Sequence, residues 1–141
     1  MSSAIARALV VVASILLCGC QGPRVVKTYS GQKLDLSQVA RLYDTPNAKV
    51  ERIDGAKQGA DLFGRRSAYD LLPGQHEIVV SAPRDPRRWS STFDYDCTAG
   101  RVYGFRVTQI LRNDRTVQSW EPRLVDYLTA QELAAPRPAP R

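Results

Sequence analysis

Few side chains in this 141-residue chain are equipped for chemistry. There are three cysteines, Cys18, Cys20 and Cys97, and one histidine, His76. A nucleophilic hydrolase needs a serine or cysteine beside a base, and none stands close to His76 in the sequence. His76 follows the turn pair Pro73-Gly74 and begins an apolar stretch. We therefore expect a half-buried imidazole bonded to turn backbone, and no catalytic residues.

Two aspartates share one side of a predicted strand. Asp94 and Asp96 alternate with Phe93 and Tyr95 just before Cys97. Paired carboxylates can act as acid and base in glycoside hydrolysis, but successive side chains of a strand point to opposite faces. The aspartates are therefore predicted on the solvent face. Cys97 is predicted to be a buried small hydrophobe, with a reactive thiol or an intermolecular disulfide as the alternative. No metal-ligand spacing is present, and no cofactor is predicted.

The N-terminus has the organisation of a secretory signal. Arg7 precedes Ala8–Leu17, a run in which only Ser14 is polar, and small residues follow. A membrane-spanning helix needs roughly 20 apolar residues, so the run favours a cleaved helical signal peptide over residues 1–19. An uncleaved N-terminal anchor is the alternative.

The end of this run resembles the lipobox of bacterial lipoproteins, which has Leu three residues before the modified Cys and a small residue directly before it. Leu17, Gly19 and Cys20 fit that pattern. Cys18 fits poorly, because bulky Leu17 would occupy the small-residue position. The resemblance implies cleavage before Cys20 and a diacylglycerol thioether on its sulfur, which would anchor the protein firmly. In Gram-negative lipoproteins Gln at the next position, here Gln21, goes with the outer membrane, facing the periplasm.

The charge balance is basic, with a formal net charge of +6 that becomes +5 when Arg7 leaves with the signal peptide. Basic proteins often bind nucleic acids, but export would separate this one from them, so no nucleic-acid partner is predicted. The anionic material of an envelope is lipid headgroup, lipopolysaccharide and cell-wall polymer. A basic surface favours binding to each of these.

The mature chain divides into three zones. Residues 20–37 are polar and predict a lipidated N-terminus and tether, residues 38–129 form the domain, and residues 130–141 end in AAPRPAPR and predict a disordered tail. Within the domain, short apolar stretches alternate with turn pairs, which is typical of an all-β sandwich. Strands are predicted over 39–43, 49–53, 67–72, 75–82, 92–97, 102–111 and 116–125, followed by one or two helical turns in 126–133.

The order of these motifs resembles a known module. Leu72–Val80 (LPGQHEIVV), followed by Ala99–Tyr103 (AGRVY), resembles the PEGA-type and related carboxypeptidase-regulatory-like β-sandwich modules. The wider layout, from Tyr29–Gln32 to Trp120–Pro122, is similar to a group of small proteobacterial envelope lipoproteins and covers most of residues 20–126. The resemblance implies a small antiparallel β-sandwich with an accessory, non-catalytic role exerted through protein contacts.

The strongest binding candidate is the loop PRDPRRW, which lies outside the motifs of that resemblance. Its arginines offer fork-shaped donors suited to phosphate or carboxylate, and its tryptophan offers a flat surface for a sugar, a lipid glycerol or a protein hot spot. Arg65 and Arg66 precede another strand and are candidates for the same patch. The alternative is a solvated loop with the tryptophan tucked into the core. The candidate binding residues are Arg84, Arg87, Arg88 and Trp89.

Overall fold

The computed structural model describes residues 22–59 and 66–138, and the regular elements of that part of the chain are strands apart from one short 3₁₀ turn. This confirms the all-β prediction. Cys20 and the predicted signal peptide, Arg65, and the last three residues lie outside the described residues. The strands are β1 (Arg24–Lys27), β2 (Ala40–Tyr43), β3 (Lys49–Ile53), β4 (Ala56–Lys57), β5 (Ser67–Leu71), β6 (Gly74–Ser81), β7 (Ser90–Cys97), β8 (Val102–Leu111), β9 (Val117–Asp126) and β10 (Glu132–Ala134), with a short 3₁₀ turn at Leu36–Gln38.

The strands form two sheets. One has six strands in the order β1-β5-β2-β8-β9-β10, and the other has four in the order β4-β3-β6-β7. Most neighbours are antiparallel, as a sandwich of this kind was expected to be, but β1 pairs with β5 and β2 pairs with β8 in parallel. The six-stranded sheet is therefore mixed rather than purely antiparallel.

The core lies between the inner faces of the two sheets. Aromatic pairs join the layers: Phe93 and Phe105 have ring centroids 5.5 Å apart, and Tyr95 meets Tyr103 edge-on at 5.6 Å. Such tilted pairs add stabilisation beyond the area they bury. The largest fully buried apolar side chains are Tyr69, Tyr103, Phe93, Leu42, Leu71, Ile78 and Leu124.

The chain direction places the connecting loops at two ends of the sandwich. Strands β2, β6 and β8 run toward one end, and β1, β3, β5, β7 and β9 run away from it. We name the first the entry end, because the chain enters the fold there. Its described residues are 22–24, 44–48, 66, 82–89 and 112–116. The far end comprises residues 28–39, 54–55, 72–73, 98–101 and 127–131.

The segment predicted as a tether contains a strand, which corrects the predicted boundary of residues 20–37. Arg24–Lys27 pairs in parallel with Ser67–Asp70, and Val26 packs against the core. The edge of β5 offers unpaired backbone groups that a passing segment can satisfy. Arg24–Lys27 therefore belongs to the folded unit.

The C-terminal segment also differs from the predicted disordered tail. After a single turn closed by the Ala130 amide donating to the Asp126 carbonyl (2.8 Å), β10 pairs with β9. Arg137 then reaches the other sheet, where its Nε and NH2 groups donate to Asp94 and its NH2 group to Glu77 (3.2 Å). Glu77 and Asp94 face each other across β6 and β7, and opposed like charges are unfavourable without a counterion. We call residues 132–137 the C-terminal strap.

Candidate functional site

The arginine-rich loop connects β6 to β7 at the entry end. The Ala82 amide donates to the Trp89 carbonyl (2.9 Å), which closes the hairpin. Inside the loop, the Asp85 amide donates to the Ala82 carbonyl (3.2 Å) and the Trp89 amide donates to the Asp85 carbonyl (3.1 Å). Pro83 and Pro86 fix their own φ angles. The loop therefore has a defined backbone on which to present its side chains.

The three arginines of this loop point into solvent. Arg84, Arg87 and Arg88 are all exposed, and none forms an ion pair with a carboxylate of the described residues. A guanidinium with no internal partner keeps its donors free for phosphate or carboxylate oxygens. This geometry suits the predicted binding of an anion.

Trp89 holds the loop to the body of the protein. It is half-buried and packs against the core, and its buried Nε1 has no hydrogen-bond partner among the described residues. The Arg88 guanidinium lies 5.3 Å from the centroid of the indole ring, within cation–π range. Trp89 therefore agrees better with the alternative prediction, in which the indole packs against the core, than with a free flat surface for a ligand.

The topology adds further arginines to the same end. Arg24, Arg66, Arg112 and Arg115 are exposed and, like the loop residues, have no ion pair within the described chain. Arg24 and Arg66 are backbone neighbours, since the Arg24 amide donates to the Arg66 carbonyl (3.2 Å). Sequence reasoning missed Arg24, Arg112 and Arg115 because they lie in separate segments. We call these seven residues the entry-end arginines: Arg24, Arg66, Arg84, Arg87, Arg88, Arg112 and Arg115.

Arginines elsewhere mostly have carboxylate partners. Arg41 binds nearly buried Asp70 through two contacts, of 2.7 and 3.0 Å. Arg106 and Arg123 share Glu132. Arg101 pairs with Asp126, and Arg137 pairs with both Asp94 and Glu77. Of the described arginines outside the entry end, Arg52 of β3 alone lacks such a pair.

The acidic groups of the entry end do not neutralise its arginines. Asp44 is buried, with Oδ1 accepting from the Val50 amide (2.9 Å) and Oδ2 from the Ser67 amide (3.4 Å). Burial raises the pKa of Asp44, and these amide hydrogen bonds oppose that rise. Asp85 is half-buried in the loop, and exposed Asp114 accepts from the amide and hydroxyl of Thr116. Seven exposed guanidinium groups thus outnumber the three described aspartates.

His76 contacts one carboxylate and one backbone carbonyl in two turns of the far end. Its Nδ1 lies 2.6 Å from Asp54 Oδ2, and its Nε2 lies 2.7 Å from the Leu72 carbonyl. Asp54 also accepts from the Glu77 amide (2.9 Å). The imidazole thus ties two turns together, as expected of a half-buried histidine, and both ring nitrogens are engaged.

Cys97 and the strand aspartates take up the predicted faces. Cys97 is 3% exposed, and burial raises the pKa of its thiol to about 12. A thiol of that pKa forms almost no thiolate at neutral pH and is a poor nucleophile. Asp94 and Asp96 are exposed, and Asp94 is held by Arg137.

The described residues offer an open hollow at the tip of the β8–β9 hairpin. It has a volume of about 550 Å³ and is lined by Leu111, Arg112, Asn113, Asp114 and Gln118. Within residues 22–59 and 66–138, no cluster of three or more His, Cys, Asp or Glu side chains is arranged to hold a metal ion. No helix in those same ranges is long and apolar enough to cross a membrane.

Comparison with protein-family models, with curated proteins and with solved structures finds no match to this chain.

Proposed function

We propose that this protein is a lipid-anchored, non-catalytic accessory module of the outer membrane that acts in the periplasm through protein contacts, on a PEGA-like sandwich. The observation that carries this proposal is that the first strand of the described residues begins at Arg24, four positions after Cys20 of the lipobox-like motif. A signal run, a modifiable cysteine and a sandwich follow one another with no room for another domain between them. That arrangement suits a small module displayed directly on a membrane.

The far end offers a surface for protein contacts. Leu36 and Leu72 are 42% and 43% exposed, and Leu128 is 80% exposed. Leu128 does not lie in a loose loop, because Asp126 Oδ1 accepts from the amides of Leu128 and Thr129 at 3.0 Å each. An ordered turn that presents apolar side chains to solvent is suited to a partner protein.

A second candidate function is the binding of anionic envelope polymers, lipopolysaccharide or peptidoglycan, through Arg84, Arg87 and Arg88. The observation that favours it is the absence of carboxylate partners for these side chains within the described residues. Binding of this kind weakens steeply as salt is raised. A packed apolar protein interface changes far less under the same conditions.

Cys20→Ala tests the anchor, with Cys18→Ala as the matched control. Membrane fractionation and intact mass should show a lipidated, membrane-bound wild type and an unlipidated Cys20→Ala chain that no longer fractionates with the outer membrane. Cys18→Ala should behave as wild type, because that residue leaves with the signal peptide. Outer-membrane fractionation of the Cys20→Ala chain would refute the lipoprotein proposal.

In-cell crosslinking with affinity recovery tests the mode of contact. The wild type, a Leu128→Ser variant and an Arg84→Ser, Arg87→Ser, Arg88→Ser variant are compared. We expect one discrete protein partner from the wild type and the arginine variant, and its loss from Leu128→Ser. Recovery of lipopolysaccharide or glycan by wild type but not by the arginine variant would favour the second candidate instead.

A further inference from the structure

We infer that the entry end rests on the bilayer that holds the Cys20 lipid, and that the entry-end arginines bind the phosphates of anionic phospholipid headgroups. This inference rests on the lipidation proposed above. It goes further by assigning an orientation and a ligand class. The loop then forms one part of a larger lipid-contacting surface.

The short link to the anchor restricts the orientation. An extended chain spans at most about 3.6 Å per residue, so the Cα atoms of Cys20 and Arg24 lie within about 14 Å of each other. Arg24 is already fixed in the sheet by its pairing with Ser67, at the entry end. A lipid on Cys20 would therefore hold this end, and not the far end, within reach of the headgroups.

The charge of that end matches a phosphate surface. Each arginine close to an anionic membrane contributes about fivefold to binding, and the entry-end arginines come from four separate segments of the described chain. Tethering raises their effective concentration at the surface to the millimolar range, so weak individual contacts suffice. Outside the entry end, the described arginines other than Arg52 are paired with carboxylates of the described chain.

The β8–β9 hairpin adds an apolar element to the same surface. Ile110 and Leu111 are 55% and 42% exposed and stand directly before Arg112 and the turn that contains Arg115. Apolar side chains next to arginines are typical of segments that enter the headgroup region, with the charge kept at the phosphates. The open hollow beside Leu111 and Arg112 has room for a headgroup.

The test is amide hydrogen exchange of the lipidated protein reconstituted in two kinds of vesicle, phosphatidylcholine alone and phosphatidylcholine with phosphatidylglycerol. We expect residues 82–89 and 112–116 to exchange several-fold more slowly on the anionic vesicles. The far-end turns at 54–55 and 98–101 should not change. High salt should abolish the difference.

Three triple variants with the same loss of charge separate local contact from bulk charge. Arg84→Gln, Arg87→Gln, Arg88→Gln should lower the ratio of docked to undocked protein on the order of 100-fold and remove the protection. The second triple variant should also lower docking and remove the protection, since the contact involves the whole end. It combines Arg24→Gln, Arg66→Gln and Arg112→Gln. Lys33→Gln, Arg52→Gln, Lys57→Gln, which lie outside the entry end, should retain it.

Equal amide exchange on the two kinds of vesicle would overturn the inference while leaving the lipid anchor intact. An equal loss of protection in the control triple variant would do the same. A loss of protection in the variant that contains Arg84→Gln, but not in the variant that contains Arg24→Gln, would limit the lipid-contacting surface to the loop. It would overturn the assignment of the whole entry end. Protection by added lipopolysaccharide but not by phosphatidylglycerol would assign the arginines to a polymer. A mature chain without the diacylglyceryl mass would refute the anchor, and this inference with it.

Discussion

The two ends of the sandwich use their polar groups in opposite ways. At the far end, His76 bridges the Asp54 carboxylate and the Leu72 carbonyl, and Asp126 accepts from two turn amides. At the entry end, the arginines have no partner among the described carboxylates. Polar side chains of the far end thus hydrogen-bond to turns and hold them in place, while the arginines of the entry end are accessible to an external ligand.

The pKa values of one buried aspartate near each end are shifted in opposite directions. Burial raises the pKa of Asp44 at the entry end. At the far end, hydrogen bonds from the backbone of Thr129 and Leu128 lower the pKa of Asp126, with a contribution from Arg101. Ionised Asp44 therefore destabilises the folded state, whereas ionised Asp126 stabilises it.

The largest expected difference between the ends is in thiol reactivity. Arg87→Cys places a cysteine in the exposed loop, to be compared with native Cys97 in the same molecule. Because the pKa of Cys97 is about 12, its thiolate fraction is about 1000-fold below that of an ordinary thiol. Iodoacetamide labelling followed by peptide mass analysis should show a rate ratio of at least that order. Comparable rates at the two positions would contradict the burial of Cys97.

The next largest effect is on stability. His76→Ala removes two hydrogen bonds from a side chain that is 12% exposed, and we expect it to lower the free energy of unfolding by about 1–2 kcal/mol. Arg87→Ala, the control at the entry end, should change it by less than about 0.5 kcal/mol. Urea unfolding measures both. Similar values for the two variants would remove the proposed contrast in how the ends contribute to stability.

The two aspartates should give stability profiles of opposite slope near pH 3.8, their ordinary pKa. The lowered pKa of Asp126 means that its contribution is present above pH 3.8 and is lost as the pH falls through the lowered value. The raised pKa of Asp44 means that its contribution is complete below pH 3.8 and is lost as the pH rises through the raised value.

Urea unfolding of the wild type, Asp126→Asn and Asp44→Asn across this pH range measures the effect. The advantage of wild type over Asp126→Asn should shrink below pH 3.8, and Asp44→Asn should gain on wild type above it. Slopes of the same sign for both variants would contradict the assignment.

The smallest effect concerns the C-terminal strap, which joins the two sheets. Arg137→Ala leaves Glu77 and Asp94 opposed across the strands, but all three side chains are more than 40% exposed, so water screens the loss. We expect a decrease in Tm of at most about 3 °C, smaller at high salt. Arg52→Ala, an exposed arginine without an ion pair, is the control. A salt-independent decrease would show that Arg137 acts through packing instead.

The sequence was informative wherever structure is set by neighbouring residues. Alternation predicted Thr92–Cys97 and its faces, and Gln75–Ala82 differs from the observed strand by one residue at each end. Prolines are confined to stretches of strand that lack a neighbour on one side, and Pro122 follows that rule, because β10 pairs with Leu124 and Val125 but does not reach it.

Contacts between distant segments could not be predicted in this way. The pattern of Arg24–Lys27 is mostly exposed, so nothing in its composition marks it as a strand until β5 supplies an edge. Arg137 lies in a proline-rich run, and its partners come together only through the register of β6 with β7. The candidate site was recognised in Arg84–Trp89 and at Arg66. It was missed at Arg24, Arg112 and Arg115, which join the site only through the topology.

The parallel pairing of β1 with β5 has a mechanical consequence for a protein held by its N-terminus. A partner pulling on the far end would load the link at Cys20 along the direction of β1. The pairings of Arg24 to Lys27 with Ser67 to Asp70, extended by the Thr28 amide on the Asp70 carbonyl (3.1 Å), would then be sheared together rather than peeled one after another. Bonds that share a load in this way resist a higher force than bonds broken in sequence, so a lipid on Cys20 would pull on the fold in a direction that this pairing resists.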